Sequence, residues 1–178
     1  MSVAPCPSAF ETRCNAAYEA LMWALSRPGL PRVLPEAGHA SIVDALLDRE
    51  CAVFCAMPAL SQHVARTGAA LVDLASADHV FVDHMTSADM LRDLAQGSDL
   101  HPEAGATLIV NAVLGTGQRL RLTGPGIETA IELQVGGLPD GFWQMRAQVM
   151  RYPTGFEVFL TDGADVLGVP RSTKVEVL

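Results

Sequence analysis

The polar residues with the most chemical promise in this chain stand near its end, in Val169-Pro170-Arg171-Ser172-Thr173. Proline fixes the backbone ahead of Arg171, and two hydroxyls follow it. A guanidinium keeps its charge near neutral pH, so Arg171 is unsuited to general acid or base work. Its planar fork suits a carboxylate, a phosphate or a carbonyl oxygen. Arg171, Ser172 and Thr173 are therefore candidates for partner or anion recognition, with Glu103 and Glu157 as acceptors inside the domain. The competing reading is a plain surface arginine at a strand end.

Other sets carry less. Cys51 and Cys55 share a face in either a strand or a helix, but no second Cys/His pair stands at zinc spacing. With Val53 and Phe54 as neighbours, they are expected to be buried, inert thiols. The five histidines His39, His63, His79, His84 and His101 are scattered. His79 and His84, with Asp78 and Asp83, form a local group that reads more readily as a solvated loop than as a metal cluster. Gly115-x-Gly117 and Gly124-x-Gly126 lack the GxGxxG form and read as turns. There is no GxSxG, HExxH or Walker lysine. The single lysine, Lys174, lies near the C-terminus, where a Schiff-base role is not expected. No catalytic residue, metal site or cofactor is expected.

Composition bounds the scaffold. At 178 residues and 49% apolar, the chain is long enough for one packed domain, expected over 8–178 after a fraying segment 1–7. The net charge of −8 argues against nucleic acid and anionic membrane as partners. No apolar run reaches the length of a membrane span. The opening MSVAPCPSAF has neither a basic n-region nor an apolar core, so no signal peptide is expected. Four cysteines in a chain of this length do not read as a disulfide framework, and a reducing cytoplasm is the expected compartment.

The elements that must position these residues follow from periodicity. Ser8 and Glu11 form a capping box, opening a helix whose stripe is Phe10, Cys14, Ala17, Leu21 and Leu25, ended by Pro28-Gly29. Short strands are expected at 32–34, 51–57, 69–74 and 79–82, and helices at 41–48, 60–67 and 87–96. The apolar run 106–114 reads as a strand buried on both faces, and 118–123 as its half-exposed hairpin partner across Gly115-Thr116-Gly117. A strand at 129–135, a helix at 139–150 with Phe142, Met145 and Val149 on one face, a hairpin across Asp162-Gly163 and an edge strand at 174–178 complete the chain. Helices interleave with strands early and hairpins dominate late. The expected architecture is α/β, a three-layer α/β/α sandwich with a mixed sheet covered by helices on both faces.

Several segments together resemble one family. They are Ala24-Leu25-Ser26-Arg27-Pro28-Gly29, Pro102-Glu103-Ala104-Gly105-Ala106-Thr107-Leu108, Leu122-Thr123-Gly124-Pro125-Gly126-Ile127, Phe142-Trp143 with Arg146, Tyr152-Pro153-Thr154-Gly155, and the stretch from Val169 to Val177. In order and spacing the set is similar to the PhnH family of the bacterial carbon–phosphorus lyase system. The chain departs from it with Tyr18-Glu19 where the family often has Phe-Arg, Gln148 where asparagine is usual, and Glu157 where aspartate is common. The resemblance implies a fold like that of pyridoxal-phosphate-dependent transferases without the cofactor. It also implies a homodimer and a place beside PhnG, PhnI and PhnJ subunits. The associated reaction puts a phosphonate on C1′ of the ATP ribose and releases adenine. Arg146 joins Arg171, Ser172, Thr173 and Glu103 as a candidate for partner or anion recognition. Two other readings stay open, a free-standing transferase-like enzyme and a regulatory module that binds a phosphonate or a nucleotide.

Overall fold

The computed structural model describes residues 6–178. The expected fraying segment 1–7 therefore lies mostly outside the described residues; residues 6 and 7 are exposed and belong to no helix or strand. Helix α1 (Ala9–Ser26) starts on the capping box, with Ser8 Oγ accepting from Glu11 N at 3.2 Å and Glu11 Oε2 accepting from Ser8 N at 2.7 Å. Its buried face is made of Ala17, Ala20, Leu21 and Ala24, mostly small residues that let the helix backbone approach a sheet closely. Phe10, expected at the start of that stripe, is half exposed and lines an open groove with Cys14 and Asp44.

The other elements are β1 (Arg32–Val33), α2 (Ala40–Leu46), β2 (Ala52–Cys55), α3 (Pro58–Thr67), β3 (Ala70–Leu71), β4 (His79–Val82), β5 (Thr107–Asn111), β6 (Val113–Thr123), β7 (Ile131–Gly136), α4 (Phe142–Val149), β8 (Glu157–Asp162), β9 (Asp165–Val169) and β10 (Lys174–Val177). A seven-stranded sheet runs in the order β1-β9-β8-β5-β4-β2-β3. β3, β2, β4, β5 and β8 are parallel; β9 and β1 are antiparallel to their neighbours, so the sheet is mixed. β5 sits in its middle with Leu108, Ile109 and Val110 fully buried, as a run buried on both faces requires.

Alternation divides the core. Val53, Phe81, Ile109, Phe159 and Val166 face α1, α2 and α3. Val80, Val82, Leu108, Val110, Val158, Leu160, Leu167 and Val169 face the other way. That second face is not covered by a layer of helices. A three-stranded antiparallel sheet, β10-β6-β7, lies over it with α4, contributing Leu120, Leu122, Val135, Phe142 and Trp143. The architecture is thus α/β with a mixed sheet, helices on one side and a small sheet plus one helix on the other.

Three expected elements differ. The hairpin of 106–114 with 118–123 does not exist: the chain leaves the large sheet at Ala112, whose N–H goes to Thr161 O, and continues as β6 in the small sheet. Gly115 and Gly117, both at positive φ, make a bulge so that Leu114 and Gln118 both pair with Val135. A side chain at Gly117 would meet Gly136 Cα at 2.6 Å, so the glycine serves close strand approach and not reversal. The helix expected over 87–96 is only a 3-10 turn, Ala88–Arg92. Beyond it the chain is tied down by long-range contacts, the carbonyls of Ala95 and Gln96 accepting from the N–H groups of Ala106 and Gly155. α4 begins only at Phe142, after Gly141 at φ 77°, and its buried residues are Phe142, Trp143 and Arg146. Met145 and Val149 are only partly covered.

The packing of α1 on β9 depends on Gly168, where a Cβ would lie 2.6 Å from both C and O of Ala24. Backbone atoms cannot step aside as a flexible side chain can. Gly168→Ala is expected to destabilise the chain by about 1–3 kcal/mol, the usual range for overpacking. Urea unfolding checks this; an unchanged midpoint would mean that α1 does not lie this close to the sheet.

Candidate functional site

The turn between β9 and β10, residues 170–173, brings most of the sequence candidates together. Arg171 donates from its backbone N to Glu157 Oε2 at 2.7 Å and from Nε to Glu157 Oε1 at 2.5 Å. Its Nη1 donates to the carbonyl of Pro102. Both side chains are largely covered, 15% and 19% exposed. The acceptor is therefore Glu157, at the start of β8, and not Glu103. Glu103 points to solvent and pairs with His101 at 3.0 Å. Its own backbone N–H, and then His101, hold its carboxyl below the usual range.

Arg146 reaches the same turn from α4. It is 3% exposed, and its Nη1 and Nη2 donate to Thr173 O at 3.1 Å and Pro170 O at 2.7 Å. Burial pushes its pKa down to about 10, with the charge of Glu157 acting in the opposite direction, so it stays protonated at neutral pH. Its Nε and the hydroxyl of Thr173 are buried without a partner. The turn thus uses the carbonyl of Thr173 and not its hydroxyl, and Ser172 contributes no hydrogen bond to Arg171 among the described residues. Two guanidiniums flank one carboxylate, and the hydrogen bonds made by both end on acceptors of this chain.

A second polar group sits at the opposite end of the sheet, where the parallel strands finish. Asp83 follows β4, Asn111 ends β5, Thr161 is near the end of β8, and His39 precedes α2. Asn111 Nδ2 donates to Asp83 Oδ1. Thr161 Oγ1 donates to Asn111 Oδ1 at 2.8 Å, and His39 Nε2 lies 2.8 Å from Thr161 Oγ1. The charged end sets the direction of every bond. Asn111 must present its amide to the carboxylate, so its carbonyl receives the Thr161 hydrogen, and Thr161 must then accept from His39 Nε2–H. His39 is the Nε2–H tautomer, with Nδ1 3.2 Å from Met57 Sδ. Burial pushes its pKa below the ordinary value, against smaller opposing effects from Asp83 and Asn111.

Carboxyl strand ends beside a reversal of strand order are where open α/β sheets bind ligands. Here the order reverses at β2, whose successor β3 lies on one side and β4 on the other. Sequence spacing gave no sign of this group, because four separate elements supply it. The local set of His79 and His84 with Asp78 and Asp83 is not one cluster. β4, four residues or about 13 Å long, runs between the two pairs.

A cleft of about 590 Å³ lies between the segments 85–89 and 137–145. Asp89 and Asp140 are its charged residues, so its field opposes a phosphonate or a triphosphate. No helix among the described residues is long and apolar enough to cross a membrane.

A family model described as bacterial phosphonate metabolism protein (PhnH) matches residues 9–176. A Stutzerimonas stutzeri protein named as the C-P lyase subunit protein HtxG is 33% identical, over 99% of this chain and 95% of its own length. The alpha-D-ribose 1-methylphosphonate 5-triphosphate synthase subunit PhnH of Rhizobium meliloti (strain 1021) is 31% identical, over 91% of this chain and 90% of its own length.

The buried imidazole gives the fold an acid-side liability. An unfolded histidine takes up a proton near pH 6.5, whereas folded His39 stays neutral to lower pH. Between those two values the unfolded state binds more protons, so stability falls as pH falls. This group contributes up to about 1.4 kcal/mol per pH unit. Unfolding free energies measured from pH 7 to 5.5 should show a shallower slope in His39→Gln than in the parent chain; equal slopes would place the liability elsewhere.

Proposed function

This chain belongs to the PhnH family of bacterial phosphonate metabolism proteins, and we propose that it is a non-catalytic subunit of a carbon–phosphorus lyase system. In this reading it supports transfer of a phosphonate to C1′ of the ATP ribose with release of adenine. A relative carries the name of a subunit of the corresponding synthase. Its partners are PhnG-, PhnI- and PhnJ-like subunits and a second copy of itself, in the cytoplasm. The observation that carries the reading is the fate of the two best anion-binding side chains. Arg171 is occupied by Glu157 and Pro102, and Arg146 by Pro170 and Thr173, so neither presents an open fork to a phosphonate or a phosphate. Their placement shapes a turn that can be read by a partner.

Two further features support it. Lys174 is exposed on β10, at an edge of the small sheet, a poor position for an amine that must enter a closed pocket and form a Schiff base. This agrees with a transferase-like fold that works without pyridoxal phosphate. Along α1 and the edge strand β1, Tyr18, Trp23, Leu30 and Val33 are exposed apolar surface of the kind that a dimer covers. A second reading, a module that binds a phosphonate or a nucleotide, is favoured by one observation, the His39–Thr161–Asn111–Asp83 group beside the reversal of strand order.

Calorimetric titration of the isolated chain with ATP and with methylphosphonate separates the two readings: the first expects no heat of binding at millimolar ligand, and tight binding of either would establish the second. Sedimentation of the same preparation should show a dimer at micromolar concentration, and a monomer would count against self-association. Arg171→Lys, which keeps the charge and loses the fork, is expected to reduce co-purification with the other core subunits while leaving phosphonate transfer per assembled complex unchanged. Normal assembly with abolished transfer would put Arg171 in an active site and end the non-catalytic reading.

A further inference from the structure

At the amino ends of β2 and β4, on the face covered by α1–α3, the fold brings together three side chains of the types that ligate a borderline-soft divalent cation. Donor atoms of Cys51, Asp78 and His79 all lie within 4.8 Å of one another, each residue neither fully buried nor fully exposed. Asp48 Oδ1 lies 3.5 Å from Cys51 Sγ and also accepts from Glu50 N, outside this group. We propose that Cys51, Asp78 and His79 form a binding site for a single divalent transition-metal ion, with Zn²⁺ as the best match.

The framework around these side chains is rigid. Asp78 N donates to Ala52 O at 2.9 Å, and Ala52 N donates back to the Asp78 carboxylate at 3.1 Å. His79 pairs in register with Val53. Strand alternation places His79 with Phe81, and Cys51 with Val53, on the same side of the sheet. Asp78 Oδ1 also lies 2.8 Å from His79 Nδ1. A carboxylate offers about four lone-pair positions, so these bonds leave room for a metal. Sequence spacing alone made Cys51 an inert core thiol. The fold packs it against the apolar core and also gives it two carboxylates and an imidazole.

The carboxylates of Asp78 and Asp48 near Cys51 Sγ make this corner attractive to a cation. A thiolate beside two carboxylates requires compensation, which a divalent ion supplies as it displaces the thiol proton. One nitrogen, one sulfur and one carboxylate donor, with a fourth position open to solvent, suit tetrahedral Zn²⁺ better than Ca²⁺ or Mg²⁺, which take oxygen ligands. An ion here would tie the connection after α2 to the start of β4. Cys55 shares the face of Cys51 but lies four residues, about 13 Å, farther along β2, outside the site.

The test uses the full chain, freed of metal with a chelator and titrated with Zn²⁺ against a chromophoric competitor, and with Co²⁺ for its spectrum. The proposal expects one equivalent bound and a sulfur-to-cobalt charge-transfer band. Cys51→Ser should abolish that band and lower Zn²⁺ affinity at least about tenfold, since losing even an outer partner of a ligand costs that much. His79→Gln should lower affinity comparably, and Cys55→Ser should change neither quantity. In the unaltered chain, affinity should rise at least about tenfold per pH unit below pH 8, because binding releases the thiol proton. This last measurement decides the matter even if a variant fails to fold. Absence of stoichiometric binding, a band that survives Cys51→Ser, or an affinity independent of pH would overturn the proposal.

Discussion

Glu157 is the carboxylate that holds the turn joining the two sheets. It starts β8, beside the central strand of the large sheet, and both of its oxygens accept from Arg171. Arg171 belongs to the turn that carries the chain from β9 in the large sheet to β10 in the small one. Arg146 holds the carbonyls of that turn from the side of α4. One arginine inside the turn grips the large sheet, while another outside it grips the turn. The small sheet β10-β6-β7 lies over the core beside this turn and buries Leu120, Leu122 and Val135. A partly covered ion pair with bidentate contact falls between the weak surface pair and the fully buried pair whose disruption costs about 3–5 kcal/mol.

Local chemistry was legible in the residues themselves. The capping box at Ser8 and Glu11, the short helix closed by Gly68, the hairpin across Asp162-Gly163 and the doubly buried strand around Leu108–Val110 are each set by contacts within a few positions. What local pattern cannot decide is the partner of a strand. Gly115-Thr116-Gly117 suits a hairpin turn and a bulge equally, and only the distant Val135 selects the bulge. The segment 93–97 likewise has helical spacing but is held instead by long-range hydrogen bonds from Ala106 and Gly155. For the candidate site, Arg171 and Glu157 were visible as a plausible pair, whereas the burial of Arg146 on backbone carbonyls was not. A lone arginine on a helix ordinarily faces water. The group of His39, Thr161, Asn111 and Asp83 carries no spacing signal, since the elements that assemble it are far apart in the chain.

The two ends of the large sheet therefore have different characters. At the carboxyl end of the parallel strands, a neutral imidazole closes a hydrogen-bonded line that ends on an exposed carboxylate. At the amino end, arginines lock a turn in place, and Cys51, Asp78 and His79 converge beneath α1–α3. The two arginines that reach the turn, Arg146 and Arg171, both spend their forks on acceptors of this chain.

A double-mutant cycle on Glu157→Gln and Arg171→Met, followed by urea unfolding, tests most directly whether Arg171 is occupied within its own domain. A coupling energy above about 1.5 kcal/mol is expected for a pair in direct, partly buried contact. A coupling below about 0.5 kcal/mol, the level of an exposed pair, would contradict the account and leave Arg171 free for a ligand.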